Sequence, residues 1–160
     1  MDALAFFYLQ HARVQSSNVA SGSSLADLVF GSLTDQQMRV RPGEGLNSLV
    51  WLPWHMARVE DVAVNLVLTA GRQVRDDGWS SRLDIPRTDV GRGMNEDEVG
   101  STGLAELVSR ADAARVPRGF GALEDQPRAV ELGTSAITHN AVHLGEAATI
   151  RRLARFSIGI

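Results

Sequence analysis

Apolar residues recur along this chain at three- and four-residue spacing, the period of an amphipathic helix, and no stretch alternates as a half-buried strand would. In residues 2–30, Leu4, Phe7, His11 and Val14 make an apolar stripe containing one histidine. Ser21-Gly22-Ser23-Ser24 interrupts it, a breaker signal, and Leu25, Leu28 and Val29 resume it. Thr34-Asp35-Gln36-Gln37 reads as a capped turn and Arg41-Pro42-Gly43-Glu44-Gly45 as a loop.

A second helix is predicted from an Asn47 or Ser48 cap to about residue 70, where Gly71 suits the end, with Leu52, His55, Val59, Val62 and Leu66 on one face. Pro53 lacks an amide hydrogen and its ring crowds the preceding turn, so it predicts either a kink or a later start, near Trp51. Residues 71–102 carry Gly71, Gly78, Gly91, Gly93, Gly100 and Pro86, and read as an irregular flap beside one end of the molecule, with one possible capping box at Asn95 and Glu98. A third helix is expected over 104–115, ending before Pro117, and a fourth from Pro127 to about 156. The stripe of the fourth is Leu132, Ala136, His139, His143, Ala147 and Ile150. The expected fold is all-α: a four-helix bundle in one domain over 1–160, with a long irregular segment between helices 2 and 3.

Composition narrows the function. Hydrophobic residues are 44% and charged residues 22% of the 160, ordinary globular values. The absence of cysteine removes disulfides, thiolate metal sites and cysteine nucleophiles. The net charge of −3 argues against a nucleic-acid partner. No apolar run approaches the roughly 18 residues of a membrane span, so no membrane partner is expected. Met1-Asp2-Ala3 offers no basic start to a secretory leader, and the cytoplasm is the expected location. All basic side chains are arginine.

Chemistry concentrates in the histidines. His139 and His143 stand one helical turn apart on one face, a spacing that offers two imidazoles to one ligand. Both lie on a core stripe, where an imidazole costs free energy unless it finds a partner. His55, on the stripe of helix 2, can supply a third donor. The residues leave two readings open, metal ligation or core histidines bonded to backbone carbonyls. Trp51, one turn before His55, is placed to wall such a site. Glu146, three residues past His143, could orient a ligand or act as a general base. His11 reads as a locally bonded stripe residue, Asn140 as lying outside the site, Arg58 with Asp61 as a surface pair, and Arg151, Arg152 and Arg155 as a solvated face.

The segment Asn47-Ser48-Leu49-Val50-Trp51-Leu52-Pro53-Trp54-His55-Met56-Ala57-Arg58-Val59-Glu60-Asp61 resembles the second-helix signature of the DinB-like superfamily. His139-Asn140-Ala141-Val142-His143-Leu144-Gly145-Glu146 is similar to its C-terminal motif, and residues 33–42 resemble its lead-in to the second helix. Glu146 stands where many members have glutamine. The resemblance implies a four-helix bundle in which His55, His139 and His143 hold a divalent metal. It also implies kinship with bacillithiol transferases and mycothiol-dependent maleylpyruvate isomerases, whose metal activates a thiol cofactor.

The function expected is that of a metal-dependent enzyme activating a low-molecular-weight thiol for S-transfer to, or isomerisation of, a small electrophile. Glu146 is the candidate catalytic residue and Trp51 the candidate wall of the cofactor site. Zinc is the default metal, with nickel or iron also suited to imidazole ligands. The partner is a small-molecule substrate, and a homodimer is plausible on general grounds. The alternatives are a hydrolase using metal-bound water and a non-catalytic metal- or small-ligand-binding protein linked to stress response.

Overall fold

The interrupted first stretch folds as two helices, not one bent helix: α1 (Ala3–Gln15) and α2 (Leu25–Phe30). The structure is a computed structural model and describes residues 1–15, 22–69, 71–79, 82, 89–91 and 132–157. Ser24 starts α2 through a reciprocal capping box: its hydroxyl accepts from the Asp27 amide at 3.1 Å, and its own amide donates to the Asp27 carboxylate at 2.8 Å. The expected turn at Thr34 is one helical turn, α3 (Asp35–Met38), capped the same way by Thr34 and Gln37. α4 (Trp51–Asp61) passes directly into a π-helical stretch, Val62–Leu68. A 3₁₀ turn follows at Val74–Asp76. A second π turn, Thr134–Thr138, leads into α5 (His139–Leu153). Every regular element among the described residues is helical, which bears out the all-α class. None of these helices is long and apolar enough to cross a membrane. The expected helix over 104–115, the capping box at Asn95 and Glu98, the start near Pro127 and most of the flap lie outside the described residues.

The second helix starts at Trp51, the later of the two outcomes that Pro53 allows. Neither Asn47 nor Ser48 is its N-cap. The Ser48 hydroxyl instead accepts from the Trp51 amide at 3.2 Å, and Asn47 turns to Glu146. Pro53 is thereby the third residue of α4, where an amide would have no partner within the helix. The far end departs from the expected stripe. A π turn carries an extra residue, so a pattern counted at 3.6 slips round the helix. Leu66, expected inside, is exposed, and Val64 and Leu68 are buried in its place.

α4 and α5 pack against each other, with α1 and α2 against α5. One apolar cluster joins Met38, Leu52, Trp54 and Met56 to Leu144 and Ile150; a second joins Phe7 of α1 to Val64, Leu132 and Ala136. Arg151, expected on a solvated face, is buried. Its guanidinium donates to the carbonyls of Val29 at 2.5 Å and Gly31 at 3.1 Å, satisfying the end of α2. Arg58 and Asp61, expected as a surface pair, are also buried and meet at 2.6 Å. Asp61 further accepts from the amides of Val74 and Arg75, so it pins the chain after α4 back onto that helix. His11 is not bonded locally either. Its Nε2 reaches across to Glu60 Oε1 at 2.7 Å and staples α1 to α4.

Two outcomes follow. At the third helical position Pro53 forfeits no intrahelical bond, so Pro53→Ala should change stability by less than about 1 kcal/mol. An interior proline would instead yield about 3 kcal/mol or more on replacement. Urea unfolding of the two proteins separates these values. For His11, burial pushes the imidazole pKa down, but the hydrogen bond and the charge of Glu60 outweigh it, leaving the pKa above its ordinary 6.5. The folded state therefore holds this proton more tightly than the unfolded chain does. The stabilisation is complete below 6.5 and fades as pH rises through the raised value. The urea-midpoint gap between wild type and His11→Gln should shrink from about pH 6 to about pH 9. A constant or widening gap would refute the pairing.

Candidate metal centre

α4 runs through the interior with nine of its eleven residues buried. His55 lies on its side facing α5. His139 opens α5 directly after the π turn, and His143 follows one turn later on the same side. The three imidazoles converge. Ring centroids are 5.1 Å apart for His55 and His139, 4.8 Å for His55 and His143, and 4.5 Å for His139 and His143. One nitrogen from each lies within 4.8 Å of the other two, close enough for the set to hold one metal ion.

The outer nitrogen of each ring meets an acceptor. His55 Nδ1 donates to the Val90 carbonyl. His143 Nδ1 meets Glu146 Oε2 at 2.9 Å, and His139 Nδ1 meets Asn140 Oδ1 at 3.3 Å. A neutral imidazole that donates from Nδ1 presents its lone pair at Nε2. All three rings are thus set to offer Nε2 to a metal, by acceptors of the kind that back metal-bound histidines. Glu146 is itself fixed, because Oε1 accepts from Asn47 Nδ2 at 2.8 Å. Trp51 lies flat on His55, ring centroids 4.4 Å apart and planes 10° from parallel, and meets His143 edge-on. It covers one side of the cluster with apolar surface. The all-nitrogen donor set suits zinc, nickel, copper or iron.

The structure thus brings His55, His139, His143, Trp51 and Glu146 together. Asn140, expected outside, is wholly buried behind His139 and bonded to Glu60 at 3.0 Å. Glu60, Asn140, Asn47 and the Val90 carbonyl are the participants that the sequence reading missed. One signal was available: tryptophans, methionine and leucine occupy several faces of residues 51–61, so a carboxylate on that helix has no assured route to water. The Val90 contact had none, since a backbone carbonyl carries no residue signature.

The chain is similar in fold to a solved structure, that of a conserved protein from Enterococcus faecalis, with a TM-score of 0.72 over 97% of this chain and 98% of that one at 20% identity. No curated protein matches the chain. The family model of the DinB superfamily matches residues 23–147, a span that includes all three clustered histidines. The chain belongs to the DinB superfamily.

Proposed function

We propose that His55, His139 and His143 hold one divalent metal ion through Nε2, zinc by default, and that the protein activates a low-molecular-weight thiol for transfer to, or isomerisation of, a small electrophile. The observation that carries this reading is the convergence of three imidazoles whose Nδ1 atoms are all committed elsewhere, in a chain with no cysteine to complete a closed site. When bound, such a metal supplies Lewis acidity and an exchangeable position where a thiol is held as its thiolate. The protein's own contribution is orientation and exclusion of water. Asn47 holds Glu146, Glu146 holds His143, Val90 holds His55, and Trp51 screens the stacked face of His55. Both oxygens of Glu146 are engaged, which makes it a positioning residue here. A hydrolytic reaction would need that same carboxylate as its base.

Elemental analysis of untagged protein should find about one metal per chain, and none after replacing any one of the three histidines with alanine. Metal retained in all three variants would place the site elsewhere. In the Co(II)-substituted protein a small thiol should raise a sulfur-to-metal charge-transfer band in the near ultraviolet, saturating at about one thiol per site. Glu146→Gln should keep that band. No band with any thiol would move the reading to a non-catalytic binding protein.

A further inference from the structure

Behind His139 the polar contacts continue away from the cluster. Glu60 is 2% exposed, and its carboxylate is ringed by donors. His11 Nε2 approaches Oε1 at 2.7 Å; Asn140 Nδ2 and Gln15 Nε2 approach Oε2 at 3.0 and 3.3 Å. Asn140 has no exposed surface. Its amide nitrogen donates one hydrogen to Glu60 Oε2 and the other to the Ala136 carbonyl at 2.9 Å. Neither partner can donate in return, so the amide has one possible orientation. Its oxygen faces the remaining side, where His139 Nδ1 lies at 3.3 Å. An amide oxygen only accepts, so His139 must carry its proton on Nδ1 and present the lone pair on Nε2.

The geometry points to Glu60 as a positioning residue of the metal centre: acting through Asn140, it selects the His139 tautomer that can ligate. This rests on the metal reading above. Its logic is a sequence of forced choices. A carboxylate at position 60 can only accept, so Asn140 must turn its nitrogen toward it and its oxygen toward His139. A carboxamide at position 60 relaxes the compulsion, because it can donate to the Asn140 oxygen and leaves the Ala136 carbonyl alone to hold the amide nitrogen. In the share of molecules where Asn140 then turns its nitrogen to His139 Nδ1, that atom has to accept, and the proton moves to Nε2, the atom the metal needs. His11, clamped on the other carboxylate oxygen, holds Glu60 in place from α1.

Glu60→Gln keeps size and shape while removing the acceptor-only character and the negative charge that His11 faces, and the tautomer readout below separates the first effect from the second. Zinc affinity measured by competition with a chromophoric chelator should fall by about 10-fold, the lower end of the effect of losing a direct partner of a ligand, because Glu60 acts one step further out. The second readout needs no metal. Two-bond proton–nitrogen correlation spectra of metal-free, histidine-labelled protein should show His139 protonated on Nδ1 in wild type and shifted toward Nε2 in Glu60→Gln. His55 and His143, held by Val90 and Glu146, should keep their Nδ1 protons in both proteins. Affinity within about twofold of wild type, well short of the expected loss, would overturn the proposal and leave the metal reading standing. Weakened affinity with an unchanged His139 tautomer would also overturn it, since that marks a merely structural role. If Glu60→Gln does not fold, wild type decides alone: an Nε2 proton on metal-free His139 overturns the proposal, and an Nδ1 proton upholds it. Wild type that binds no zinc overturns the metal reading itself, an outcome distinct from the others because they all presuppose binding by wild type.

Discussion

α4 has no solvent face on which to leave its polar side chains. Nine of its eleven residues are buried, and His55, Arg58, Glu60 and Asp61 are among them. An unpaired buried charge costs several kcal/mol, on the order of a whole domain's margin of stability. Each of these groups therefore draws a partner from another part of the chain. Glu60 takes α1 through His11 and Gln15, and α5 through Asn140. Arg58 and Asp61 take each other, Gln73 and the amides after it. His55 takes the Val90 carbonyl. The apolar clusters supply most of the favourable free energy, but they are tolerant of small slides. The polar contacts are not, and they set where the surrounding pieces stop.

The same constraint explains how much of the molecule could be read from its sequence. Residues 139 and 143 share a face in any α-helix, and His55 shares a stripe with Leu52, so the ligand candidates were legible from spacing. Pro53 pointed to a kink or to the later start that α4 takes, the run from Ser21 to Ser24 marked the break before α2, and the capped turn at Thr34 followed from local chemistry. What stayed hidden required knowledge of the surroundings. A pair spaced like Arg58 and Asp61 looks the same on a surface helix and on an enclosed one. Asn140 is turned by about 100° from His139, the angular step of an α-helix. That turn leads away from the cluster and, in this fold, toward Glu60. The two π turns are invisible to a 3.6-residue count, and the one after α4 exchanged Leu66 for Val64 and Leu68.

The three imidazoles are backed by three different acceptors: a backbone carbonyl, a carboxylate and a side-chain amide. Each sets the same tautomer but with different electrostatics. Of these three acceptors, Glu146 is the one that brings a negative charge next to a ring, and it stands at the His143 side of the cluster. With neutral ligands throughout, a bound dication would keep most of its charge, which favours an anionic partner such as a thiolate.

The support of His55 has a consequence of a different kind. The atom that holds its ring belongs to the main chain at Val90, and the turn that aims it is formed by the Asp89 carboxylate accepting from the Gly91 amide, with Gly91 at a φ of 84°. Orientation of this imidazole is therefore independent of which side chain residue 90 bears. A substitution at position 90 changes the side chain there and leaves the accepting carbonyl in the chain. Position 91 has no such latitude, because an L-residue is strained at that φ. The demand for side-chain identity and the demand for backbone conformation thus fall on neighbouring residues of one short turn: the support of His55 asks nothing of the residue 90 side chain and a great deal of the residue 91 backbone.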